Sequence, residues 1–469
     1  MKQNLLKKFI SFSYGSGIGL IIGFFTTIVT TRILSPEDFG KASMFTLALN
    51  VSMIFIVFGT DQSFVRFFYE EKGEKRGGLL YNCLKFPLLL SAITMVIILI
   101  FNKPLSILLF EEENLQVMIV LLFGILIQVI NRYAVLVVRM QQKGHLFSIL
   151  EILNRSIQLL LVFFLYFLMG PSYEIIIFST VLTVFILTFI SINIEKKFWQ
   201  IGNFSINYLK HSKIEILKYS YPLVLTTLIT WLFQSFATVA LRYWSNFEQV
   251  GLYAAAFKIV ALLSVVQVAF TTFWSPIAYE RFEASPESKE IFEKMSKIVA
   301  FGMFTISIGV IMFKDIIIMI LGSEYAEAGK ILSFLVFIPL MYTLSETTVM
   351  GINFYKKPKW HIVIAFVSCL VNILGNWLLV PDYGATGAAI STALSYIIFF
   401  MLRTHISLKY YKVNYGINKI YIIVPLISLF AFYSTHSDFL KNMISGMILF
   451  LLITILYWKD ILTISRSYK

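Results

Sequence analysis

Five basic side chains stand inside stretches that are otherwise apolar: Arg66, Lys85, Arg132, Arg155 and Lys258. An ionised group in hydrocarbon costs about 3 kcal/mol or more, so each needs an anion, a wet cavity or the headgroup layer. Lys85 lies one to two turns from a polar boundary, and its aliphatic stem lets it snorkel there. Arg66 lies near the same boundary, five residues after Asp61. It reads equally as an interfacial anchor or as part of a gate for phosphate. Arg132 and Arg155 have polar company. Gln128, Asn131, Arg132 and Arg139 recur at helical spacing, and Glu151, Asn154, Arg155 and Gln158 repeat the pattern one apolar segment later. A guanidinium grips phosphate through paired bonds, and amide side chains replace water around hydroxyls. Two facing stripes of this kind are hard to bury against lipid and must face a partner or a wet cavity. The plainer reading is an ion pair, Glu151 with Arg155 or Arg132, that pins two helices together. Later in the chain, Lys258 is level with Gln234 across a hairpin turn, and Glu346 is the deep acid of that half. Glu346 serves either as a countercharge for Lys258 or as a proton-binding group. Asp61, Glu151 and Glu346 are thus the acids that could bind and release a proton or a cation.

Membrane-spanning helices have to position these groups. Of 469 residues, 58% are hydrophobic and only 14% charged, with a mean hydropathy of +0.80. A soluble domain of this size needs more charge to cover its surface. Runs long enough to cross about 30 Å of hydrocarbon recur from end to end. They predict an all-α integral membrane protein with spans near 10–34, 42–65, 79–101, 115–138, 146–169, 174–194, 217–241, 250–277, 297–320, 329–353, 359–380, 385–403, 419–436 and 440–458. The first run is too long for a signal-peptide core and lacks a small-residue cleavage site, so it reads as a permanent span. Cys83 and Cys369 each sit inside an apolar run and read as small core residues.

The net charge of +13 invites a nucleic-acid reading, but its distribution excludes one. With the N-terminus in the cytoplasm, 27 of the 39 Lys and Arg fall on the cytoplasmic side, seven outside and five within spans. Basic loops resist translocation, and one missed helix inverts every later loop. Both termini are accordingly expected in the cytoplasm, with the excess charge facing anionic lipid.

A repeat divides the chain. Arg32 closes one span and Gly40 opens the next; Arg242 and Gly251 do the same at offsets of 210 and 211. Gln141-Gln-Lys-Gly-His matches Tyr355-Lys-Lys-Pro-Lys-Trp-His at an offset near 215. Two six-helix halves in the same orientation follow: 1–200 and 217–412, joined by an interfacial linker over 201–216, with two further helices in 413–469. Transporters built from repeats place their site between them, near the bilayer midplane.

Four segments carry a family resemblance. Thr31-Arg-Ile-Leu-Ser-Pro-Glu-Asp-Phe-Gly40 and Gly59-Thr-Asp-Gln-Ser-Phe-Val-Arg-Phe-Phe-Tyr69 resemble the first turn and second-helix end of polysaccharide repeat-unit flippases. Val250-Gly-Leu-Tyr-Ala-Ala-Ala-Phe-Lys258 and Pro381-Asp-Tyr-Gly-Ala-Thr-Gly-Ala-Ala389 are similar to that family's eighth- and twelfth-helix starts. The family is a branch of the multidrug/oligosaccharidyl-lipid/polysaccharide exporter superfamily. The resemblance implies a multidrug-exporter-like fold and alternating-access export of undecaprenyl-pyrophosphate-linked oligosaccharides across a bacterial cytoplasmic membrane, for O-antigen or capsule. It also implies a polymerase and chain-length machinery as partners. The candidate substrate-binding set is then Arg66, Arg132, Arg155, Lys258, Asn131, Asn154 and Gln234. Lipid II flippases usually carry an Arg-Asp pair after a Gly-Phe in helix one, whereas Gly23-Phe24 here is followed by Phe25-Thr26-Thr27. Helix one also lacks the acid with which multidrug antiporters often bind cations.

An enzyme is the rival class. Membrane polymerases and ligases need a sizeable outer loop or an outward catalytic acid pair, and Glu111-Glu112-Glu113 reads as a solvated loop tip. The five histidines are scattered, and no P-loop or nucleophile motif is present. The pattern calls for no cofactor and no metal.

Overall fold

A computed structural model describes residues 2–200, 202 and 209–467, and every regular element among them is helical. The order is α1 (Lys2–Ile33), α2 (Pro36–Val57), α3 (Thr60–Phe67), α4 (Arg76–Ile100), α5 (Asn102–Phe110), α6 (Leu115–Met140), α7 (Gly144–Met169), α8 (Glu174–Ile194) and α9 (Lys213–Trp244). There follow α10 (Phe247–Ala284), α11 (Glu290–Met312), α12 (Lys314–Met319), α13 (Ala328–Leu335), α14 (Phe337–Thr348), α15 (Met350–Phe354), α16 (Lys359–Tyr410), α17 (Ile417–Ser434) and α18 (Phe439–Ser467). Thirteen helical segments among the described residues are long and apolar enough to cross a membrane. One of them, α16, is two helices joined at Gly384 (φ 52°), in keeping with about fourteen spans. A helix satisfies every backbone N–H and C=O internally, which hydrocarbon demands. The hydroxyls comply as well: Thr26, Thr27, Thr30 and Thr31 each donate to the carbonyl four residues earlier in α1.

The second expected span, 42–65, is not continuous. Phe58 and Gly59 both take left-handed backbone angles (φ 50° and 70°), ending α2 and starting α3. Gly59 suits the site twice over, because a side chain there would also strike the Ser220 carbonyl at 2.8 Å. A 3₁₀ turn at Lys196–Trp199 precedes the linker expected over 201–216, of which 202 and 209–216 are described, with α9 beginning at Lys213; residues 201 and 203–208 lie outside the described residues.

The chain divides into two compact units, 1–34 with 38–230 and 35–37 with 231–469. The division falls inside α9, downstream of the expected linker. In the first unit α1 packs along α7, and α6 against α8. At Gly15 the two backbones of the α1–α7 pair meet so closely that a β-carbon would lie 2.4 Å from Ser148 Cα, and Gly15 N–H donates to Ser148 Oγ at 3.1 Å. In the second unit α14 packs on α16, and α18 on α11. There Asn442 Nδ2 donates to the Ile311 and Met312 carbonyls, and Asp460 holds Lys297 (2.9 Å) and Lys419 (2.6 Å). Both cysteines are buried and free.

Candidate functional site

The break before α3 faces a polar groove of the first unit. A cavity of about 370 Å³ is lined by Asn50, Gly59, Asp61, Gln128, Asn131 and Arg132, among others. A second, of about 270 Å³, is lined by Gln62, Arg132, Arg139, Glu151 and Asn154 among others. Gln62, Asn131 and Arg132 line both. The helical spacing of α6 explains this, since Gln128, Asn131, Arg132 and Arg139 share one face.

Arg132 is the centre of the groove. Its Nε (3.0 Å) and Nη2 (2.7 Å) both donate to Asp61 Oδ2. The partners differ in exposure: the Arg132 side chain is 53% exposed and that of Asp61 only 8%. Asp61 Oδ1 accepts the Gln62 backbone N–H at 2.9 Å, in the first turn of α3. Buried hydroxyls fix that turn on two sides. Thr60 Oγ1 lies 2.6 Å from the Tyr133 hydroxyl on α6, which in turn donates to the Cys83 carbonyl. Ser63 Oγ lies 2.7 Å from Ser220 Oγ on α9 and donates to the Ile216 carbonyl. Asn131 donates to Thr188 on α8 at 3.0 Å.

The anticipated pinning pair is not formed. Glu151 accepts the Ser16 hydroxyl of α1 at 2.5 Å, not Arg155 or Arg132. Arg155 instead lays its stem over α1 where side chains are missing, its Cγ 3.5 Å from a β-carbon position at Gly19 and its Cδ 3.7 Å from one at Gly23. It is exposed, and among the described residues it forms no ion pair. Among the exposed apolar residues of α7, Leu160, Phe164, Phe167 and Leu168 lie on the side of the helix away from Arg155.

Arg66 pairs with Glu70 one turn on, at 2.5 Å. Glu70 also meets His211 (2.9 Å) and Lys210 (3.5 Å). Burial raises the Glu70 carboxyl, but the His211 hydrogen bond and the charges of Arg66, Lys210 and His211 outweigh it and hold the group below its ordinary value. Lys85 is exposed beside the Tyr81 ring.

In the second unit Lys258 and Gln234 are both exposed. Glu346, offered as a countercharge for Lys258 or as a proton site, has a different partner. Its Oε1 accepts Arg403 Nη1 at 2.8 Å, and the same nitrogen donates to Ser345 Oγ at 2.6 Å. Both charged side chains are under one-tenth exposed, and Arg403 lies over the rings of Tyr342 and Phe399. Arg403 is the last residue of the expected span 385–403 and was not among the candidate residues. The signal that pointed to it was the unmatched deep acid, which obliges some cation to follow inward.

The family described as polysaccharide biosynthesis protein matches residues 5–282. The probable low-salt glycan biosynthesis flippase Agl15 of Haloferax volcanii is 21% identical over 177 residues, 37% of each chain; the chain spans less than half the length of the curated relatives it matches. Among solved structures, the inward closed conformation of the lipid II flippase MurJ superposes with a TM-score of 0.72 at 16% identity, covering 97% of this chain and 100% of that one. An inward-facing multidrug resistance transporter of the MATE family, MOP superfamily, superposes at 0.63 and 15% identity, covering 83% and 94%.

Proposed function

The chain belongs to the polysaccharide biosynthesis protein family, and from that premise we propose that it moves lipid-linked oligosaccharide units across a membrane, with the groove of the first unit receiving the phosphate that joins sugar to lipid. The observation that carries the reading is Arg132, a guanidinium fixed on one edge by Asp61 and half-exposed toward a groove of amide side chains. A phosphorylated sugar cannot enter hydrocarbon without losing its hydration. Arg132 and Arg139 replace the water around phosphate, and Gln62, Asn131 and Asn154 replace it around hydroxyls. The lipid tail needs no protein site, because it stays in the bilayer.

The flippase names carried by Agl15 and MurJ support the class of cargo. The carrier lipid is read as undecaprenyl pyrophosphate, the product as a surface polymer such as O-antigen or capsule, and a polymerase with its chain-length machinery as the next consumer. The loop charge asymmetry supports a cytoplasmic membrane with both termini inside. Arg155 and Lys258 are the cations read as completing the pathway.

The test is reconstitution in liposomes with a fluorescent, short-chain polyprenyl diphosphate disaccharide as probe. Wild type is expected to deliver it to the opposite leaflet, and Arg132→Gln to stop delivery while inserting normally. Delivery at the wild-type rate by Arg132→Gln and by an Arg155→Gln, Lys258→Gln double variant sinks the reading. Movement of an organic cation in place of the disaccharide makes the chain a multidrug exporter of the same fold.

A further inference from the structure

Asp61 is an acid beside a transport groove, which on sequence makes it a candidate for carrying a coupling proton. Its surroundings argue for different work. The carboxylate is fully engaged: Oδ2 takes two N–H groups of Arg132, and Oδ1 takes the Gln62 backbone N–H. It is buried while its partner is open to the groove. The segment that bears it is anchored on both flanks, by Thr60 to Tyr133 and by Ser63 to Ser220. A fixed, buried acid cannot follow Arg132 if the guanidinium swings away, and it cannot reach far into the groove to release a proton.

Resting on the reading above, we infer that Asp61 is a positioning residue that presents the guanidinium of Arg132 to the phosphate of the cargo. Both contacts use the Nε–Nη2 edge of Arg132, and among the described residues Nη1 has no partner. The remaining Nη1–Nη2 edge is the one that a phosphate engages through two parallel bonds. Without Asp61, Arg132 is a long side chain with many rotamers, and binding has to order it afresh. The broken helix serves the same end. The left-handed turn at Phe58–Gly59 restarts the chain as α3, so that the first-turn N–H of Gln62 steadies Asp61. Phosphate and Asp61 then bind adjacent edges of one guanidinium that share Nη2 but use different N–H bonds, so they do not compete.

Binding of geranylgeranyl diphosphate to the purified full-length chain, by titration calorimetry at a pH where the probe is fully ionised, tests this. Asp61→Asn keeps an acceptor for Arg132 but loses the charge, and is expected to bind about tenfold more weakly. Asp61→Ala loses both and is expected to bind more weakly again, with Asp61→Glu recovering part of the loss. The wild-type binding heat is expected to be the same in buffers of different ionisation enthalpy. Binding by Asp61→Asn as tight as wild type overturns the inference. So does a proton taken up on binding by wild type and not by Asp61→Asn, which makes Asp61 the coupling acid. If Asp61→Asn fails to fold, the exchange Asp61→Arg with Arg132→Asp keeps the pair and turns its acid toward the groove. It is expected to fold and not to bind, and wild-type affinity in it also overturns the inference. Unchanged binding by Arg132→Gln is a separate result, because it removes the phosphate reading itself.

Discussion

Arg132 in the first unit and Glu346 in the second stand 214 residues apart, close to the offset that the sequence motifs suggest for a repeat, yet they have opposite charges and opposite surroundings. The contact next to each shares the offset. Asn131 bonds Thr188 between α6 and α8, while Ser345 and Glu346 bond Arg403 between α14 and α16. The α6–α8 contact is therefore closed by a neutral amide–hydroxyl bond and the α14–α16 contact by a buried ion pair. In the first unit the charge left over is turned outward, to a groove, and is held there by Asp61 from a third helix. In the second both charges are sealed together under aromatic rings. A desolvated charge must be matched on the spot, whereas a half-exposed one can be left partly unmatched for a ligand to complete. The lesson is that a charge in an apolar helix can be sealed as a bolt against a partner or left half-exposed at a groove, and exposure separates the two.

Four changes break or sharpen that contrast. The largest effect is expected in the second unit. Glu346→Gln or Arg403→Gln strands a buried charge and should cost about 3–5 kcal/mol, read as a lower thermal midpoint in detergent. Glu346→Leu with Arg403→Met should recover most of it, and harmless single changes end the idea of a bolt. Next comes the contact that holds the first unit together without charge. Gly15→Ala drives a methyl group into Ser148 and should cost about 1–3 kcal/mol. Gly17→Ala, with nothing within 4 Å, should stay within about 0.5 kcal/mol by the same unfolding measurement. Thr188→Val removes the neutral counterpart of the Arg403 bond and should cost about 1 kcal/mol. A loss as large as that of Glu346→Gln means the two helix pairs do not differ as described. The smallest stability effect is expected where the functional effect is greatest. Arg132→Lys should lower stability by no more than about 1 kcal/mol, because the arginine side chain is half-exposed and the ammonium still supplies a countercharge to the buried Asp61, while the paired bonds to phosphate are lost. An unfolding shift of several kcal/mol in that variant makes Arg132 structural after all.

The sequence by itself determined the helical architecture, the approximate spans and the polar face of α6. Each of these follows from hydropathy and period, which are properties of consecutive residues. It also marked Arg132, because a cation flanked by amides at helical spacing stands out in an apolar segment. Tertiary structure alone decided the partners. Asp61 and Arg132 are 71 residues apart and Glu346 and Arg403 are 57 apart, and no local pattern says which faces meet. Glu151 shows the same point from the other side, since the nearby arginines suggested themselves while a serine on α1 took the bond. The break at Phe58–Gly59 was missed because a single glycine inside an apolar run is compatible with a continuous span, and a residue such as Phe58 seldom adopts a left-handed backbone. Spans follow from the free energy of burying each segment in lipid, which adds up along the chain. Which charge is bolted and which is offered follows from packing between distant segments, and that exists only in the folded chain.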